Sequence, residues 1–344
     1  MTTAAAIVWL LVCQLLFGHA SASALSFPRS LSTGIVTPFV LAPRDIEIRP
    51  LPDGTSQVVD TSKNRIIPQG LATDGSGSGF QGPAIIWIIY LLALGVPLAI
   101  AGIRGWRFTT GVALALAAAV CAWAAIINSV NEVGVSDFVL ILVILAFSFL
   151  GFIMGIFEFA RVGATGILGV VGGLAFGMRV VLLKDGLLFS AKSLYFLNWI
   201  IAGFFGAAGG LTIIWWQRLG LLFACASSGT FLTVLGVDLI LYEQSGLSRG
   251  LRFLFDRNSS HIEDILGNGY HPTLITVIML AVSMGVVPLL ALLQHRIFPQ
   301  PFRRKTVESD EELAIDDPTT QLRMFSPASR PATFFLSKMS RFSL

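Results

Sequence analysis

Apolar and polar residues are sorted into long blocks along this chain. Seven apolar runs, at about residues 84–103, 108–128, 138–160, 162–182, 194–215, 219–242 and 273–294, are separated by polar gaps. Each holds about 20 residues or more, and at 1.5 Å per residue a helix of that length crosses a hydrocarbon core of about 30 Å. A β-barrel would alternate apolar and polar positions in short segments, and these runs do not. Lipid offers no partner to open sheet edges or loops, so each run is expected to be helical. The pattern predicts an all-α polytopic membrane protein with seven transmembrane helices over 84–294 and one long outer loop at 243–272.

Three of the gaps share a design. "GWRFTTGVALALAAA" from residue 105, "EFARVGATGILGVVGG" from 158 and "WWQRLGLLFACASSG" from 215 each place an aromatic near an arginine, followed by a run rich in small residues. Arg107, Arg161 and Arg218 are 54 and 57 residues apart. The spacing predicts a helical hairpin used three times in parallel, plus one further helix. With Arg104, Arg296, Arg303, Arg304 and Lys305, these arginines fall on one side, which the positive-inside rule makes cytosolic. Arg107, Arg161 and Arg218 are therefore read as topology anchors, with Trp106, Phe159, Trp215 and Trp216 at headgroup level.

The flanks agree with that orientation. Residues 1–24 carry a short apolar stretch followed by "HASASA", the pattern of a secretory signal peptide. Residues 25–83 hold seven prolines and five residues of each charge sign, and are expected to be a mobile lumenal or extracellular arm. Within it, "EIRPLPDGTSQVVD" suits a small hairpin around Pro52-Asp53-Gly54. Asn258 opens an N-glycosylation sequon in the long loop, which this topology places outside. In the same loop "LSRGLRFLF" reads as either an amphipathic helix, with Leu247, Leu251 and Phe255 on its apolar face, or a plain loop. Residues 295–344 read as a disordered cytosolic tail, basic at first and then acidic, where Ser309 precedes Asp310, Glu311 and Glu312 and suits an acidophilic kinase.

Composition changes the picture little. Charged residues make up 12% of the chain, about half the share in soluble domains. Cys13, Cys121 and Cys225 all lie in apolar runs, so no disulfide framework is expected. Glycines at four-residue spacing (Gly151 and Gly155; Gly169, Gly173 and Gly177; Gly206 and Gly210) give smooth helix faces, for packing within the bundle or for a homo-oligomer. Few ionisable groups fall within the runs. Glu158 lies one turn from Arg161. Arg179 and Asp238 lie 18 and 20 residues beyond Arg161 and Arg218, at similar depth if the turns are level. They are read either as an intramembrane ion pair or as two side chains reaching separately for the outer headgroups.

Catalytic patterns are missing. The four histidines lie outside the apolar runs' depths, no HExxH or CxxC occurs, and no pair of deep aspartates is present. No enzyme activity, cofactor, metal or nucleic-acid partner is expected. The partners expected are the lipid bilayer and an unknown cytosolic protein at the tail. A G-protein-coupled receptor is disfavoured by the very short cytosolic turns.

The segments "GIRGWRFTTGVALALAA" (102–118), "GILGVVGGLAFG" (166–177) and "IIWWQRLGLLFACASSGTFLTVLGVDLILY" (213–242) resemble the family of transmembrane protein 198 and transmembrane 7 superfamily member 3. The resemblance covers 84–294 and leaves the arm and tail outside it. It implies seven helices, no enzymatic chemistry, and a role like that of the animal members, which look like membrane scaffolds in signalling. The competing reading is a small-solute transporter or channel enclosed by the hairpins, which calls for Gly/Pro-broken helices and polar groups at mid-depth. Pro97 and Pro288 are suggestive of it.

Overall fold

The computed structural model describes residues 46–50, 56–61, 64–70, 73, 75–76, 79–130, 132–190 and 194–298. The signal peptide with Cys13, the first part of the arm, the Pro52-Asp53-Gly54 turn, and the tail with Arg303, Arg304, Lys305 and Ser309 lie outside these residues.

Seven long helices form where the apolar runs fall. They are α1 (Gly82–Ala101), α2 (Trp106–Ser129), α3 (Asp137–Ile156), α4 (Arg161–Leu182), α5 (Phe196–Trp215), α6 (Gln217–Tyr242) and α9 (Leu274–Ile297). All seven are long and apolar enough to span a bilayer. Between α6 and α9 lie two short helices, α7 (Leu247–Phe255) and α8 (Ile262–Asn268). Pro97 and Pro288 sit inside α1 and α9 without interrupting either. The connections alternate between an arginine face, with the tight turns before α2, α4 and α6, and a loop face.

The hairpin arrangement expected from the repeat is not how the helices pack. Helices joined by the first two arginine turns scarcely touch: α1 and α2 splay apart, and α3 only grazes α4. The most extensive pairings are α2 with α3 and α4 with α5, joined across the loop face, and then α1 with α6, which are remote in sequence. The reason is where the small residues point. In the apolar stretches of α4 and α6, 67% and 72% of residues are buried, against 22–28% in α1, α3, α5 and α9. Helices α4 and α6 are thus the inner ones, and the more exposed helices wrap them and face lipid. Following the contacts gives a ring, α1–α6–α4–α2–α3 and back to α1, closed most weakly between α3 and α1; α5 and α9 pack outside it on α4 and α6.

The inner contacts are made backbone to backbone. A Cβ on Gly173 would overlap the Phe205 carbonyl of α5, one on Gly155 would overlap the Thr110 carbonyl of α2, and one on Gly172 would strike Ala224 of α6. Thr110 adds a hydrogen bond across the second of these seams, its Oγ1 donating to Gly155 O at 2.7 Å. Gly206 likewise faces Leu174 of α4. Within the chain these glycine faces pack against neighbouring helices.

The loop face carries a small antiparallel sheet of β1 (Ile46–Pro50), β2 (Ser56–Asp60) and β3 (Arg65–Ile66), in the order β1-β2-β3. Ile46 pairs with Asp60 and Pro50 with Ser56, the hairpin its sequence suits. Part of the segment read as a mobile arm is therefore ordered. Its apolar surface is not large, but backbone groups beyond the sheet find partners: Gly70 N donates to Ser260 O at 2.9 Å, and the Gln69 side chain bonds Ser259 O and Glu263 N.

Close packing predicts a sharp contrast between two glycines of α4. Gly173→Leu should lower the yield of folded, monodisperse protein and its thermal midpoint in detergent. Gly166→Ala, with nothing within 4 Å of its Cβ position, should be neutral or stabilising by up to ~1 kcal/mol through helix propensity. A wild-type midpoint for Gly173→Leu would show that α4 and α5 are not in backbone contact.

Candidate functional site

Splaying α1 from α2 leaves a cavity of about 920 Å³ inside the five-helix ring. Its walls are almost wholly apolar. The α2 wall is a run of small residues, Ala117, Ala118, Ala119, Cys121, Ala122 and Ala125, opposed by Leu174 of α4 and by Phe231 and Leu235 of α6. Alanine at positions where leucine would reach across is what keeps this volume open. Toward the loop face α7 forms a roof through Ser248, Leu251 and Phe255. Helix α7 is the amphipathic helix of the two readings, and its apolar side faces protein: Leu247 and Leu254 are fully buried, and the Phe255 ring packs edge-on against Trp123 and Trp199, with centroids 5.4 and 4.9 Å away. Two polar atoms of lining residues, Trp87 Nε1 and Ser228 Oγ, have no hydrogen-bond partner and are packed away from the cavity.

Behind the wall lies Arg179, fully buried in α4. Its guanidinium is held by α6. Nη1 donates to Ser227 Oγ at 3.1 Å, and Nη2 donates to Ser227 O at 2.7 Å and Thr230 Oγ1 at 2.6 Å. The Phe231 ring stacks over it, 5.2 Å from Cζ to centroid. These are neutral acceptors, and no carboxylate joins them. Asp238 is elsewhere. One of its oxygens accepts from Thr276 Oγ1 of α9 at 2.8 Å, and the other accepts the N–H of Leu247, capping the start of α7. The ion pair, one of the two readings, is therefore not formed, although α4 and α6 do touch. Neither side chain reaches outward for headgroups; both are fully buried. The depth argument fails because the turns are not level. Gly172, 11 residues past Arg161, meets Ala224, 6 residues past Arg218. That offset of 11 − 6 = 5 residues, about 7.5 Å along the helix, puts Arg179 beside Phe231 rather than Asp238.

The three turn arginines gather on one face and are not equivalent. Trp106 is flanked by two of them, with Arg107 Cζ 5.3 Å and Arg161 Cζ 5.2 Å from its ring centroid, a cation–π arrangement linking the first two turns. Arg218 caps another helix: its Nη2 donates to Phe298 O at 2.9 Å, at the C-terminal end of α9. A cation there meets orphan carbonyls and the negative end of the helix dipole. Glu158 is exposed in the one-turn segment that links α3 to α4.

Asn258 does not have the geometry of a glycan acceptor. Only 8% of it is exposed. Its Nδ2, the atom a glycan would join, donates to Ile127 O at 3.2 Å and Val130 O at 2.6 Å, closing the C-terminal end of α2. Its Oδ1 accepts from Ser260 N at 3.0 Å. Around it runs a buried polar clasp. Asp256 binds His261 Nδ1 at 2.7 Å, and Arg252 lies against both Asp256 and Asp264, tying α7 to α8. Burial pushes the Asp264 pKa up, but the Asn268 hydrogen bond and the charges of Arg252 and Arg249 outweigh it and hold the carboxyl below its ordinary range. Tyr270 OH closes α4 in the same manner as Asn258 closes α2, donating to Leu182 O at 3.0 Å. Cys121 and Cys225 are free thiols.

Sequence reasoning missed the cavity, the roof and the α6 cradle of Arg179. Signals for two of them exist: the alanine run of α2 and the Ser227, Ser228, Thr230 cluster of α6 are both visible in the sequence. Nothing local signals the α1–α6 pairing that encloses the cavity.

A family model for TM7S3/TM198-like domains matches residues 88–295, well over half of the chain and nearly the whole of the stretch that carries the resemblance. No curated protein and no solved structure matches the chain.

Two outcomes test this geometry. Endoglycosidase treatment should leave the mobility of the protein unchanged, and Asn258→Ala should cost about 1–3 kcal/mol of stability by orphaning buried helix-end carbonyls; a wild-type mobility shift that Asn258→Gln abolishes would contradict it. Arg179→Asp and Asp238→Arg should each reduce the folded fraction, and the double exchange should be no better than the sum of the two. Recovery in the double exchange would mean that the two side chains do pair.

Proposed function

The chain belongs to the TM7S3/TM198-like family, and from that premise we propose that it is a non-enzymatic multi-pass scaffold, associated with signalling, of the plasma membrane or an endomembrane. The arginine face is cytosolic and the loop face lumenal or extracellular, following the charge distribution and the signal-peptide pattern. The roof and sheet then form an ordered platform outside, and the charged tail recruits partners inside.

One observation carries this reading over the transporter. The ionisable groups at depth are consumed in holding helices together: Arg179 ties α4 to α6, and Asp238 ties α6 to α7 and α9. A solute path needs polar groups free to exchange partners and helices broken around them. Here Pro97 and Pro288 lie within continuous helices, and the ring encloses an apolar cavity.

Proteoliposomes containing the purified protein should show no flux of small ions or polar solutes above that of protein-free vesicles, and an epitope at the C-terminus should be reached by antibody only after permeabilisation of cells. Saturable flux would replace the scaffold with the transporter. Antibody binding to the C-terminal epitope on intact cells would invert the topology.

A further inference from the structure

The cavity inside the ring has properties that select its occupant. It is bounded by membrane-spanning helices, so the medium beside it is lipid. Water is a poor filling, because a stable buried water needs two to four polar partners, and the walls are almost wholly apolar. A volume of about 920 Å³ is within the range of pockets that hold small organic molecules, roughly 300–1,000 Å³.

The wall also has a way in. The seam between α1 and α3 is the weakest link of the ring, and one side-chain hydrogen bond spans it, Tyr90 Oη to Ser148 Oγ at 2.7 Å. On α3, Phe147 and Met154 line the cavity and are 51% and 47% exposed, and the cavity is open and not sealed.

The lining sets the chemistry. No charged side chain is among the lining residues, so a free carboxylate would have no counter-ion there, and the hydrocarbon chain of an ester is favoured over a free fatty acid.

We infer that the cavity binds an acyl chain of a membrane glycerolipid, which enters through the α1–α3 seam. The site rests on the membrane-spanning fold and not on the scaffold role. A positive flux assay would remove that role and leave this site standing.

The probe is phosphatidylcholine with a diazirine in one acyl chain, reconstituted with the delipidated full-length protein and irradiated. Crosslinks are expected on cavity residues within 114–126 and 228–239, displaced by unlabelled phosphatidylcholine. Ala122→Phe, which projects a ring into the cavity, should suppress the crosslinks. The wild type gives a second readout: Cys121 lines the cavity, and its alkylation by N-ethylmaleimide should be slower in lipid-loaded protein than after delipidation. Crosslinks confined to outward residues such as Ile85, Ile89 and Ile200, or equal alkylation rates, would overturn the inference. So would a diazirine-bearing sterol that labels the cavity in preference to the phospholipid.

Discussion

Where Gly172 of α4 meets Ala224 of α6, two helices touch with no side chain between their backbones. In a bilayer the hydrophobic effect does not drive helices together, because lipid tails are as apolar as leucine, and close backbone contact supplies the attraction instead. The same contact recurs where Gly155 meets α2, where Gly173 meets α5 and where Gly229 meets Ala99 of α1. These seams choose which helices are inner. They also set the register between them, and the register decides where every buried polar group ends up.

Arg179 shows the consequence. A buried guanidinium needs acceptors, and the five-residue offset between α4 and α6 brings it to Ser227 and Thr230 instead of Asp238. Asp238 is then free to hold the first turn of α7 and the hydroxyl of Thr276. Two charges that lie at similar depth by residue count become two separate joints. One locks the inner helices together, and the other fastens the roof over the cavity.

Helix ends pose the second problem, since each leaves carbonyls without intrahelical partners. The loop face answers with side chains from distant segments: Asn258 closes α2 and Tyr270 closes α4. On the opposite face Arg218 closes α9, and Gln294 reaches Ala99 O near the end of α1 at 2.5 Å. Each of these bonds joins elements far apart in the chain. On the loop face the roof, the sheet and the ends of α2 and α4 are therefore joined into one polar layer, beneath which the apolar cavity lies.

The seven helices and their near-exact bounds were legible in the sequence, because crossing a hydrocarbon core imposes a length and an apolar composition that nothing else in a chain mimics. The small-residue helices were legible as packing surfaces for the same local reason, and so was the hairpin at Ile46–Asp60. The pairing of helices was not. The repeated arginine turns suggested hairpins between neighbours, whereas α1 leaves α2 to pack on α6, and periodicity carries no information about which small face meets which. The cavity follows from that choice, so it was invisible too, although the alanines of α2 that line it stand in plain view. The burial of Asn258 and the separate partners of Arg179 and Asp238 were hidden for a related reason. A sequon and a residue count are one-dimensional, while burial, register and the partners of an amide or a guanidinium are decided only when distant segments meet.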